Sequence, residues 1–168
     1  MTYTVHTTNS APDAARETLA DTEKAYGFLP NLIGVMAEAP QVPKAYRQIM
    51  GLFEDTSFTP VEQQVVLLTV SFENACTYCM AAHTVLAQMA KVPEDVIAAL
   101  RNGTPIPDTK LEALRRLTAE VVTTRGEPSA KTMQAFHDAG YGKAQVLEVI
   151  LGVATKTLSN YVNHVAET

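Results

Sequence analysis

Val61, Val65, Leu68 and Phe72 recur at i, i+4, i+7 and i+11, and Val66, Leu67 and Val70 fill the other side of the same helix. A helix that is apolar nearly all round cannot lie on a surface, so the fold has to be built around it. Its start is marked by Thr59-Pro60-Val61-Glu62: a capping hydroxyl, a proline at the first helical position and an acid near the positive end. The pattern predicts that it stops at Glu73-Asn74. A last helix, from Lys143 to Ala166, is also apolar on most sides, with Val146, Leu147, Val149, Ile150, Leu151, Val153 and Leu158. It is expected to be central to the core or to a subunit interface. One small domain has limited interior in which to hide two such helices, which predicts a homo-oligomer.

The remainder also reads as helix. A helix is expected over 12–26, opening at Pro12-Asp13, then a break at Gly27-Phe28-Leu29-Pro30-Asn31 and a short helix to Ala39. Pro40 and Pro43 begin the next, to Phe53. A helix starts at the cysteines and runs to Ala90, and Val92-Pro93-Glu94-Asp95 opens another that Asn102-Gly103 stops. Asp108 caps a helix with an apolar stripe at Leu111, Leu114, Leu117 and Val121, and Gly126-Glu127-Pro128-Ser129 turns into one ended by Gly140-Tyr141-Gly142. No hairpin signal, low-complexity segment or domain boundary interrupts the series. The expectation is one all-α domain over 1–168, a bundle of about eight or nine helices.

Composition narrows the function. Charged residues make up 18% and hydrophobic ones 46%, a globular balance, and the net charge of −5 with no long Lys/Arg run lacks the footprint of a nucleic-acid binder. No apolar window is long enough for a membrane span, and the first residues lack a secretory signal, so a cytoplasmic location is expected. In that compartment the only two cysteines, Cys76 and Cys79, form a C-x-x-C that points to redox or metal chemistry rather than to a structural staple.

On a helix, Cys76 and Cys79 are i, i+3 and Cys79 and His83 are i, i+4, so the three share a face. The first turn offers free N–H groups and the positive end of the helix. Such surroundings lower a thiol from about 8.5 towards roughly 3.5–7.5. One sulfur can attack, the other resolve, and His83 handle the proton. The competing reading is zinc: C-x2-C-x3-H offers three ligands, which Glu73, His164 or a symmetry mate would have to complete.

At these residues the chain resembles the carboxymuconolactone decarboxylase superfamily and, within it, the alkylhydroperoxidase D-like proteins. The resemblance rests on Thr59 to Ser71, Glu73-Asn74-Ala75-Cys76-Thr77-Tyr78-Cys79 and Ala81-Ala82-His83, with weaker echoes at Gly27 to Asn31 and Leu158 to His164. It implies an all-α alkylhydroperoxidase D-like bundle assembled as homotrimers or homohexamers, and thiol-dependent peroxidase activity. Cys79 would attack a hydroperoxide, Cys76 would resolve the sulfenic acid, and His83 would pass a proton on. No bound cofactor or metal is implied; an external dithiol or disulfide reductase would return the electrons.

The alternatives are a decarboxylase-like enzyme acting on a small lactone and a non-enzymatic redox-sensing or metal-binding oligomer. The family places a relay glutamate where this chain has Gln64, which can orient a water but cannot take a proton near neutral pH. Glu62 is expected to point elsewhere. Glu73 is either the substitute carboxylate or simply a first-turn acid. His164, i+4 from Asn160, is either a replacement base or a helix-terminal histidine. The family's usual glycine before the first cysteine is Ala75.

Overall fold

A computed structural model describes residues 2–168, which among them form nine helices and no strand: α1 (Asp13–Tyr26), α2 (Asn31–Met36), α3 (Gln41–Glu54), α4 (Pro60–Glu73), α5 (Thr77–Met89), α6 (Glu94–Asn102), α7 (Thr109–Thr123), α8 (Ala130–Asp138) and α9 (Lys143–Ala166). The centre is α4, which packs against α5, α6, α7 and α9. Every residue from Val65 to Ser71 is buried, so the apolar run finds partners on all sides. No helix among the described residues is long and apolar enough to cross a membrane.

The start of α4 is pinned as its sequence indicates. The Thr59 hydroxyl accepts the Glu62 N–H at 3.3 Å, and the Glu62 carboxylate accepts the Thr59 N–H at 2.9 Å, a reciprocal capping box. The other Glu62 oxygen accepts the Tyr141 hydroxyl at 2.8 Å and meets Lys110 Nζ at 3.2 Å. Burial pushes the Glu62 carboxyl up, but these bonds outweigh it and hold it below its ordinary range. Glu62 therefore ties α4 to the α7 and α8 side of the bundle.

The end of α4 sets the position of the thiols. Ala75 takes a left-handed φ of 53°. Its N–H bonds Phe72 O at 2.8 Å, and the Cys76 N–H bonds Ser71 O at 2.9 Å. These are the paired bonds that close a helix in a Schellman turn, where glycine is the unstrained choice. Alanine here accepts a backbone cost to reverse the chain and start α5 at once. Cys76 is thus the residue that caps α5, and the helix proper begins at Thr77.

The long helix α9 is apolar on several sides, as its sequence indicates. Val146, Leu151 and Val153 pack against the core, while Leu147 is 68% exposed, Tyr161 57% and Val165 67%. Its inner face carries Val149 and Gly152, followed by Thr155, Lys156, Ser159, Asn160 and Asn163, all buried. The N-terminal segment is tied to the helices: the His6 N–H bonds Gly34 O at 3.2 Å, and its ring reaches Glu38 at 2.9 Å.

Gly152 is where α9 crosses closest to its neighbours. A Cβ there would lie 2.6 Å from Phe53 Cε2 and 2.7 Å from Val66 Cγ1. Phe53 and Val66 are themselves sealed in the core, so neither can retreat cheaply. Gly152→Ala is predicted to destabilise the fold by about 1–3 kcal/mol despite alanine's better helix propensity, read as a lower midpoint in urea unfolding.

Candidate functional site

Cys76 and Cys79 are both free thiols and both buried, each 1% exposed, under the polar face of α9. The Asn163 amide spans the pair: Nδ2 donates to Cys79 Sγ at 3.2 Å and lies 3.9 Å from Cys76 Sγ. Asn160, one residue short of a turn earlier, faces Cys79 too, and its Oδ1 accepts the Asn74 amide at 3.0 Å. Its Nδ2, and the Oδ1 of Asn163, are buried without a hydrogen-bond partner. Lys156 comes in from one turn further up α9. Its Nζ donates to Ser159 Oγ at 3.4 Å, and its charge acts on Cys79.

These neighbours separate the two thiols. Burial pushes Cys79 up, but the positive charge of Lys156 and the polar groups of Cys76, Lys156 and Asn160 around it outweigh that, and the thiol ends below its ordinary value. Cys76 goes the other way, raised by burial and by the neighbouring Cys79. The arrangement favours one thiolate, on Cys79, with Cys76 still a thiol. Burial lowers Lys156 from the usual lysine range, and the two sulfurs pull it back towards its charged form. Tyr46 of α3 completes the surround; burial drives its hydroxyl far up.

His83 is buried as well, and burial, reinforced by Lys156, holds its imidazole well below the usual histidine range. It is a neutral ring. Nδ1 lies 3.1 Å from Gln64 Oε1, which as an acceptor assigns the ring proton to Nδ1 and leaves the lone pair on Nε2. Gln64 is therefore brought to His83 as an orienting group. A neutral imidazole cannot be the cation that holds a thiolate, so the charge falls to Lys156.

The other two sequence candidates are not brought to the thiols. Glu73 lies nine residues beyond Gln64 on the same helix, about 180° round it. It sits in a crevice with Thr69, Leu100 and Arg115, where burial raises its carboxyl and Arg115 opposes the shift. His164 follows Asn163 by one residue, about 100° further round α9, and is exposed against the Tyr161 ring with 6.4 Å between ring centroids. Among the described residues, no three His, Cys, Asp or Glu side chains gather into a metal-binding group, and His83 turns to Gln64 rather than joining the sulfurs.

Lys156, Asn160 and Asn163 escape a reading based on apolar periodicity. The signal is present all the same: Lys156, Ser159, Asn160 and Asn163 fall at i, i+3, i+4 and i+7, a polar stripe on an otherwise apolar helix.

Residues 40–120 match the model of the Carboxymuconolactone decarboxylase family. No curated protein sequence matches the chain significantly. Three solved structures share the fold at low identity. An uncharacterized peroxidase-related protein from Ralstonia eutropha JMP134 with an alkylhydroperoxidase AhpD core superposes with a TM-score of 0.83 at 20% identity, over 97% of this chain and 88% of that one. An uncharacterized peroxidase-related protein from Silicibacter sp. TM1040 gives 0.79 at 15% identity, over 94% and 84%. A cysteine-to-alanine variant of the debrominase Bmp8 in complex with 2,3,4-tribromopyrrole gives 0.77 at 16% identity, over 93% and 84%.

The separation of Glu73 from the thiols has a direct consequence. Glu73→Gln is predicted to leave the pH titration of the reduced protein's thiolate absorbance unchanged. A shift of that curve would place the Glu73 carboxylate in electrical contact with Cys79.

Proposed function

We propose that the protein, whose residues 40–120 match the model of the Carboxymuconolactone decarboxylase family, is a thiol-dependent peroxidase whose reactive pair is Cys79 and Cys76. The observation that carries this reading is the asymmetry of the pair: one buried thiol is lowered and held by Asn163 and Lys156, while its neighbour is raised and remains protonated. A peroxidatic cysteine has to be a thiolate, because the thiolate is the nucleophile. A resolving cysteine has to survive as a thiol until the sulfenic acid appears beside it. Cys79 is the attacking sulfur and Cys76 the resolving one.

His83 acts through its free Nε2, with Gln64 fixing the ring. Being neutral, it can accept a proton, which suits it to taking the Cys76 proton as the disulfide closes. The polar stripe of α9 gives the site an interior that is charged and hydrogen-bonding yet shut off from bulk water. The disulfide that results needs an external dithiol for its reduction. The same thiol pair on the same fold is also compatible with reductive removal of halogen from an aromatic ring, since a debrominase shares the architecture. Substrate trials therefore belong in both classes.

The purified protein is predicted to consume hydrogen peroxide or an organic hydroperoxide with dithiothreitol as donor. Cys79→Ser is predicted to abolish turnover, while Cys76→Ser stops after one equivalent and leaves a sulfenic acid trappable by dimedone on Cys79. Peroxide consumption undiminished in Cys79→Ser would contradict the reading. Turnover of a bromopyrrole with no hydroperoxide turnover would move the substrate class to the halogenated ring.

A further inference from the structure

Lys156 lies outside both the sequence motif and the residues of the family match. Its side chain is 1% exposed in the middle of α9, and no carboxylate among the described residues pairs with it. Stripping an ammonium of water costs several kcal/mol unless an opposite charge or a set of hydrogen bonds compensates. The ionisable groups that face this part of the site are Cys76, Cys79 and His83 from α5 and Tyr46 from α3. The α4 side offers the uncharged Gln64. Of these, a cysteine thiolate is the anion available at neutral pH, and Asn163 marks Cys79 as the better-held sulfur.

A second observation points to a guest beside this pair. Asn160 Nδ2 and Asn163 Oδ1 are a buried donor and a buried acceptor, both without partners, on the α9 face that covers the sulfurs. A buried polar atom left unpaired costs about 1–3 kcal/mol. An –O–O–H group both donates and accepts, and so suits one orphan of each kind. Resting on the peroxidase reading above, we propose that Lys156 is the counter-charge of the Cys79 thiolate and the acid that protonates the oxygen leaving a hydroperoxide, so that the sealed site stays at zero net charge through the cycle.

The bookkeeping closes at each step. The Cys79 thiolate attacks the terminal oxygen of ROOH; an S–O bond forms and the O–O bond breaks. Sulfur is oxidised to a sulfenic acid, the peroxide is reduced to ROH, and the proton on ROH comes from the Lys156 ammonium, which becomes a neutral amine. Cys76 then loses its proton, directly or through His83, to that amine and attacks the Cys79 sulfur. The S–S bond forms, the S–O bond breaks, and the departing hydroxide takes the proton back from Lys156 as water. The oxidised site holds a disulfide and a neutral amine. An external dithiol returns two electrons and two protons, one proton to Cys76 and one to Lys156, and the thiolate–ammonium pair is restored. A lysine lowered by burial and raised by its thiolate is suited to change state with the redox step, where an arginine is not.

The test reads Lys156 itself. In wild-type protein carrying carbon-13-labelled lysine, the Lys156 protonation midpoint measured by NMR should fall by about 1–3 pH units when the dithiol is oxidised to the disulfide. Lys156→Met should move the thiolate absorbance midpoint up by about 1–3 units. Lys156→Arg should keep the thiolate yet lose about a hundredfold or more in kcat/KM for tert-butyl hydroperoxide, because guanidinium does not release its proton. A Lys156 signal that titrates identically in both redox states overturns the proposal even if neither variant folds. Unaltered thiolate titration in Lys156→Met overturns it too, and leaves the peroxidase reading intact if Cys79 still turns over peroxide. A lysine-dependent thiolate in a protein that consumes no hydroperoxide instead removes the peroxidase reading and the acid step with it.

Discussion

An ammonium sealed between helices has to be compensated within hydrogen-bonding reach, and here the groups placed to do so for Lys156 are Ser159, Cys79 and Cys76. This interaction reaches in two directions. It lowers Cys79 against the pull of burial, and it helps to keep His83 neutral by adding a positive charge to the cost of desolvating the ring. One buried cation thereby gives the thiol and the imidazole opposite tasks, the first to carry charge and the second to remain without it.

The scaffold serves that contact. α4 fills the centre and holds α5 on one side and α9 on another. The turn at Ala75 reverses the chain within two residues, so Cys76 caps α5 and Cys79 falls in its first turn, under α9. Gly152 lets α9 approach Phe53 and Val66 closely enough to bring its polar stripe down on the sulfurs. Removing any of these would leave the same side chains present but apart. The left-handed alanine is the visible strain in this design, at the junction that positions the pair.

Much of this was legible in the chain. The Thr59-Pro60-Glu62 start, the cap at Asp108 and the all-round apolar run of α4 each rest on local chemistry that tertiary packing had no reason to override. What escaped was direction. Glu73 and His164 are the right residue types close in sequence to the site, but helical rotation turns one towards Arg115 and the other to solvent. α9 was legible as a helix, but its apolar residues drew attention from the buried face that carries the lysine and the asparagines. Apolar count ranks a helix by its sum. A site is found by asking which face the few polar residues share, and at 3, 4 and 7 residues apart they share one.

The central claim is that α9 holds a thiolate on Cys79 and leaves Cys76 protonated. The most direct measurement is the thiolate absorbance of two reduced single-cysteine proteins, Cys76→Ser and Cys79→Ser, titrated across the acidic to alkaline range. The Cys76→Ser protein, which retains Cys79, should keep its thiolate below the midpoint of an ordinary cysteine, about 8.5. The Cys79→Ser protein, which retains Cys76, should form its thiolate only above that midpoint. The reverse order, with Cys76 the lower of the two, would contradict the assignment of charge on which the site is built.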